Sequence, residues 1–141
     1  MISKLKKLIA FPSVVLNKLI SIQQALGRIE TRQNENLNSN DINDYEFKVS
    51  SQWGEDGIIQ HLINKIEIKN KVFFEFGVEN YTESNTRFLL HNNNWKGLVI
   101  DGSVENISYI KNDPIYWQNN LKAECSFVTK ENINSLMTNN G

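Results

Sequence analysis

Residues 71–77, KVFFEFG, and residues 97–102, GLVIDG, are the two stretches on which the fold turns. Each is a short run of β-branched and aromatic residues ended by a glycine, the pattern of a buried strand. Each carries one acid, Glu75 or Asp101, at or near its carboxyl end. Buried carboxylates are rare unless paired or hydrogen-bonded, so these two acids are the first residues that ask for a reason.

Helical patterns lie on both sides of these strands. Before the first, Ile58, Ile59, Leu62, Ile63 and Ile66 fall on one face of a helix predicted from about residue 55 to 67. Glu55 and Asp56 sit in its first turn, where the helix dipole favours acids. His61 lies in this helix and reads as structural. Between the strands, a helix is predicted from Ser84, its N-cap, to His91, carrying Phe88, Leu89 and Leu90. After the second strand, Ser103 caps a helix bearing Val104, Ile107 and Ile110, stopped by Asp113-Pro114. Residues 122–128, KAECSFV, alternate as an outer strand with Ala123, Cys125 and Phe127 on one side. Cys125 then reads as a packing residue rather than a nucleophile. A last helix begins near Thr129.

Strands alternating with helices imply parallel strands joined by crossovers. The predicted fold is α/β: a partial Rossmann-like, three-layer arrangement with about three parallel strands, preceded by an N-terminal amphipathic helix. The predicted division is a basic helix at 1–32, a mobile linker at 33–49, and the α/β body at 50–141.

Composition narrows the function. The 141 residues are 40% hydrophobic and 22% charged, which suits one globular domain and argues against disorder throughout. A net charge of -1 argues against a general nucleic-acid binder. One cysteine and two histidines, His61 and His91, argue against an internal disulfide and against a Cys- or His-based metal centre. Charge is unevenly placed: residues 1–32 hold six basic side chains and one acid, residues 33–141 nine basic and fifteen acidic. In the leader, Leu16, Leu19, Ile22, Leu26 and Ile29 recur on one helical face, and Pro12 begins or kinks the helix. The leader lacks the apolar core and small-residue cleavage site of a secretory signal. It reads either as a helix packing on its own domain or a partner helix, or as a peripheral membrane helix with Lys4, Lys6 and Lys7 at anionic headgroups. The expected location is cytoplasmic, at the inner membrane face under the second reading.

Ligands of parallel α/β sheets bind outside the carboxyl ends of the strands. Those ends carry Glu75 and Gly77 on one strand, Asp101 and Gly102 on the next. Asp101 lies 24 residues beyond Gly77, near the spacing at which an acid on the second strand accepts from ribose hydroxyls. The loop Gly77-Val78-Glu79-Asn80-Tyr81 lacks the further glycines that seat a pyrophosphate, and Glu79 would repel one. NAD, FAD and ATP are therefore disfavoured. S-adenosylmethionine, a nucleoside with a sulfonium cation and no phosphate, fits better beside Glu75 and Glu79. The alternative is that Glu75 caps a neighbouring helix and Asp101 begins a turn.

Three segments carry a resemblance: Ser51-Gln52-Trp53-Gly54-Glu55-Asp56-Gly57-Ile58-Ile59, Phe74-Glu75-Phe76-Gly77-Val78-Glu79-Asn80, and Val99-Ile100-Asp101-Gly102-Ser103. Over about residues 50–137 the chain resembles the FkbM-type, class I S-adenosylmethionine-dependent methyltransferases. The resemblance implies that Glu75, Gly77, Glu79 and Asn80 lie in the cofactor loop. It implies that Asp101, beside Gly102, holds the ribose, with Gln52 and Glu55 near the mouth. It implies a small molecule or sugar as methyl acceptor. It also implies a seven-stranded sheet of which this chain supplies three strands, so the catalytic residues fall outside it. The chain then reads as the cofactor-binding half of a methyltransferase, inactive and prone to self-association alone. The rival expectation is a non-enzymatic remnant whose leader binds a partner or a membrane surface.

Overall fold

The computed structural model describes the backbone of residues 2–140 and the side chains of residues 12–139. Helix α1 spans Ile2–Glu35, a 3-10 turn spans Ile42–Tyr45, and α2 spans Glu55–Lys65. Then come β1 (Val72–Phe76), α3 (Arg87–Asn93), β2 (Lys96–Asp101), α4 (Val104–Asn112), α5 (Pro114–Gln118), β3 (Leu121–Cys125) and α6 (Ile133–Asn140). The strands form one parallel sheet ordered β1-β2-β3, with Phe74 beside Leu98 and Asp101 beside Cys125. This is the α/β, partly Rossmann-like layout expected.

Pleating sends alternate residues to opposite faces. Phe73, Val99, Leu121 and Ala123 join Leu89, Leu90, Ile107, Ile110 and Ile115 in the larger core, against which Ile59 and Ile63 of α2 pack. Leu98 and Ile100 meet Leu136 of α6 on the other face, with Phe74 and Val128 at the margin. Burying a side chain of this size stabilises by about 1.5–3 kcal/mol, so β2, buried at four consecutive positions, is the anchor of the sheet. Gly97 is part of that fit: a Cβ there would lie 2.0 Å from the Phe73 ring.

Several expectations need correction. β1 was read as a buried strand, yet Val72 is 38% and Phe76 58% exposed, since among the described residues no strand pairs its outer side, the open edge that a three-stranded part of a larger sheet implies. In α2 the apolar stripe marks only part of the buried face, through Ile59 and Ile63. Leu62 and Ile66 are exposed, while Asp56, Gly57 and Gln60 are buried. Gly57 explains this: a Cβ there would lie 2.0 Å from the Tyr45 carbonyl oxygen, so only glycine lets the preceding segment cross so closely.

That segment, read as a mobile linker over 33–49, is bound to the body. Residues 33–35 complete α1, which runs unbroken through Pro12. Tyr45 is buried, its carbonyl accepts from Asn34 Nδ2 (2.7 Å), and its ring stacks on His61 with centroids 3.6 Å apart. Local asparagine-rich composition hid a structure built on one tyrosine.

Ser84 does not cap α3. The N-cap is Thr86, and Ser84 turns instead to Glu75. The third strand ends at Cys125, two residues before Phe127. Cys125 and Phe127 are exposed, so Cys125 is not a packing residue. The ladder closes with Ser126 N–H donating to the Asp101 carbonyl (3.0 Å), and the chain then leaves the sheet. Pro114, expected as a stop, is the first residue of α5, capped by Asp113. The last helix begins at Ile133, four residues after Thr129.

Candidate functional site

The carboxyl ends of β1 and β2 are wired together by their acids. Gly77 closes β1 by donating its N–H to the Ile100 carbonyl (2.9 Å) at a φ of 70. A Cβ at Gly77 would meet nothing within 4 Å, so the backbone angle, and not crowding, calls for glycine here. The loop that follows keeps two non-glycine residues at positive φ, Glu79 (50) and Tyr81 (63). Such conformations persist only when surrounding contacts hold them. Val78 and Tyr81 supply burial, and Arg87 Nη1 donates to the Tyr81 carbonyl at 2.8 Å. Burial pushes the Tyr81 phenol well above its ordinary pKa, and its hydroxyl shares a hydrogen bond with Thr86.

Glu75 holds the far side of this loop. Its carboxylate accepts from the hydroxyls of Ser84 and Thr86 and from the backbone N–H groups of Asn85 and Thr86 (3.1 Å each). Three of these donors fall on Oε2 and one on Oε1. Glu75 therefore fixes the entry to α3, as its helix-capping alternative anticipated. Asn80 is engaged locally, its Oδ1 accepting from Thr82 N–H (3.1 Å) and Oγ1–H (2.6 Å).

Asp101 is placed differently. Its Oδ2 accepts from Glu79 N–H (2.9 Å), and its Oδ1 from Ser103 N–H (2.9 Å) and Asn106 Nδ2 (3.0 Å). Burial works to raise its pKa, but the bonds from Asn106, Ser103 and Glu79 outweigh it and hold the carboxyl below its usual range. Three of four lone pairs are used, leaving one on Oδ2. Asp101 lines a recess of ≈ 490 Å³ with Phe76, Gly77, Gly102, Ser103 and Phe127 among its other walls. Gly102 allows the close approach of Phe127, since a Cβ there would lie 2.5 Å from that ring.

The recess thus gathers Gly77, Asp101 and Gly102 of the predicted site, with the Glu79 backbone bonded to its rim. Glu75, Asn80, Gln52 and Glu55 are not among its walls. The Ser51–Asp56 motif is a brace instead. Asp56 is 1% exposed, and its Oδ2 accepts from the N–H groups of Val49 (2.8 Å), Ser50 (2.6 Å) and Ser51 (2.8 Å) and from Ser51 Oγ (2.9 Å). Glu55 caps the same turn, accepting from Trp53 and Gly54 N–H. Its own backbone N–H, with those of Trp53 and Gly54, holds its carboxyl below the ordinary value against the opposing effect of burial. Gln52 is exposed, and its carbonyl accepts from Lys48 Nζ. The brace reaches the β1–α3 loop through Ser84 N–H to the Ser50 carbonyl (2.9 Å) and the Lys48–Glu83 ion pair (3.0 Å).

Two walls escaped the sequence reading. Phe76 looked like strand core and Phe127 like the inward side of β3; both are exposed aromatic rings at the recess. Their signal, an aromatic just past each strand's buried centre, is the same as that of ordinary core. Acidic and hydroxyl groups beside open aromatic faces suit a ligand with hydroxyl donors and a flat ring, and they disfavour phosphate. Among the described residues no group of three His, Cys, Asp or Glu side chains could hold a metal ion, and no helix is long and apolar enough to cross a membrane. No protein-family model matches the chain, and neither the curated proteins nor the solved structures give a match.

Proposed function

We propose that the recess at the carboxyl ends of β1 and β2 binds a nucleoside without phosphates, S-adenosylmethionine, as the cofactor-binding part of a methyltransferase. The observation that carries this reading is Asp101, which keeps one carboxylate lone pair at a recess floored by Gly77 and Gly102. A ribose hydroxyl donates to that lone pair, and the rings of Phe76 and Phe127 offer apolar surface to the base. Bound there, the cofactor supplies an electrophilic methyl on a sulfonium. The resemblance of residues 50–137 supports a small molecule or sugar as acceptor, with catalysis by alignment of acceptor and methyl.

Calorimetric titration of the folded chain tests this. S-adenosylmethionine is expected to bind and ATP not to bind, because the Asp101 carboxylate repels its phosphates and no basic side chain lines the recess to offset it. Asp101→Asn removes charge assistance from one hydrogen bond and should weaken S-adenosylmethionine about tenfold. Equal affinity for ATP, or an unchanged affinity in the folded Asp101→Asn chain, would refute the assignment.

An interaction role is the second reading, and α1 favours it. Leu19, Ile22, Leu26 and Ile29 are 47–56% exposed on a helix whose other side, at Gly27, meets Val49 and Phe88. Sedimentation with anionic vesicles separates a lipid partner from a protein one: Leu19→Glu and added salt should each abolish the former.

A further inference from the structure

Asp101 is held by a residue that stands outside the recess. Asn106 lies in the first turn of α4 and is not among the recess walls. Its backbone N–H donates to the Oγ of Ser103, the N-cap of that helix (3.2 Å). Its side chain reaches back past the cap, and Nδ2 donates to Asp101 Oδ1 (3.0 Å). Ser103 N–H donates to the same oxygen (2.9 Å). Oδ2 takes one bond, from Glu79 N–H (2.9 Å) in the loop after β1. Two of these three donors are backbone groups that any sequence would supply; only Asn106 is a side chain that the sequence had to choose.

We propose that Asn106 is a positioning residue, which pins Oδ1 of Asp101 to α4 and so leaves Oδ2 turned to the ribose hydroxyl. The proposal rests on the cofactor reading above and names the residue on which its central contact depends.

The carboxylate torsion of an aspartate is broad and roughly two-fold, so the side chain does not fix its own plane. Donors on both oxygens, from α4 on one side and the loop after β1 on the other, fix it. An amide is the donor suited to this task. A lysine would pair with the charge that the ligand needs, and a second carboxylate would repel it, whereas an amide N–H orients Asp101 and leaves it ionised. Burial works to raise the Asp101 pKa, and the bond from Asn106 is foremost among those that lower it. The other titratable groups around Asp101 are Glu79 on the loop, Glu105 on α4 and Cys125 on β3. Glu105 accepts from Ser103 Oγ (2.9 Å), and Cys125 is the ladder partner of Asp101. All three are common to every variant below, so a change in pH profile belongs to the pair 101 and 106.

The test is calorimetric titration of the intact chain with S-adenosylhomocysteine, which lacks the sulfonium charge, between about pH 5 and 8. Carbon-13 resonance of the Asp101 carboxyl, followed without ligand, gives its titration midpoint. Asn106→Ala should bind about three- to tenfold more weakly and raise that midpoint. Asn106→Asp keeps the shape but sets a second carboxylate beside the first. Its affinity should fall about tenfold or more at pH 8, where both are ionised. Toward pH 5 the pair takes up one proton between them, the donor returns, and affinity should recover while that of the unaltered chain stays level. A side chain that merely packs would produce no such recovery.

Variants that bind like the unaltered chain would overturn the proposal. So would an Asp101 midpoint that Asn106→Ala does not move, or an Asn106→Asp affinity that stays low in acid. An unaltered chain that binds no S-adenosylhomocysteine would sink the cofactor reading itself, and this proposal with it. That failure is told apart from the others because it appears without any substitution. Far-ultraviolet circular dichroism and thermal unfolding of each variant establish that a loss of binding is not a loss of fold.

Discussion

Asp56 and Asp101 make the same kind of turn and serve different ends. Each gathers backbone N–H groups; those on Asp56 come from five to seven residues upstream, while Asp101 also reaches Glu79, 22 residues away. Asp56 is 1% exposed, and one of its oxygens takes four donors while Oδ1 is buried with no hydrogen-bond partner. Asp101 spreads three donors over both oxygens at the rim of an open recess. The contrast shows that an acid's role is set by its surroundings more than by its motif. Enclosed, the carboxylate is a rivet for the Val49–Ser51 turn. At the sheet's end, the same group still has a lone pair to offer.

The sharpest way to break the comparison is Asp56→Ala. Three buried or half-buried N–H groups would lose their acceptor, at about 1–3 kcal/mol for each one left buried and unsatisfied. A loss of about 3–5 kcal/mol is expected, a large part of the 5–15 kcal/mol typical of a domain. Chemical denaturation would measure it, and a loss under about 1 kcal/mol would show that water replaces the carboxylate freely. Glu75→Gln comes next. The amide keeps one acceptor oxygen for the hydroxyls of Ser84 and Thr86 but turns a donor toward Asn85 N–H, so about 1–2 kcal/mol should be lost. Hydrogen exchange should quicken in residues 79–86 before the rest of the sheet.

Acid should act in two steps, and their order sharpens the contrast between buried and rim groups. His91 is held below its ordinary pKa by burial and by Arg87, with Asp113 opposing. The unfolded chain therefore takes up that proton first, and stability falls as pH drops below about 6.5. Asp101 and Glu55 are held below the ordinary carboxylate range, so their contribution is present above pH about 4 and is lost as pH falls through their folded values. Denaturation midpoints followed from pH 8 downward should show both declines, and His91→Gln should remove only the first. The smallest stability effect expected is that of Asp101→Asn. The amide oxygen can still accept from Ser103 and Asn106, so about 1 kcal/mol or less is at stake while the ligand contact is weakened.

The sequence by itself determined the alternation of strands and helices and the two buried runs of the sheet. The run Leu98–Ile100 is apolar at every position, and only a strand covered on both faces suits such a run. The turn acids and glycines at 75, 77, 101 and 102 were legible for a related reason: a charge or a bare backbone next to a buried run has few structural explanations. Tertiary structure alone decided which of those residues are still available. Whether Glu75 or Asp101 meets the recess depends on where the Ser84–Thr86 and Ser103–Asn106 turns draw each carboxylate, and no spacing encodes that. The exposure of Cys125 and Phe127 and the anchoring of residues 36–49 by Tyr45 were equally invisible in one dimension. Each depends on what lies beside the residue in space. A phenylalanine that closes a core and one that walls a recess obey the same local preference, and only their neighbours distinguish them.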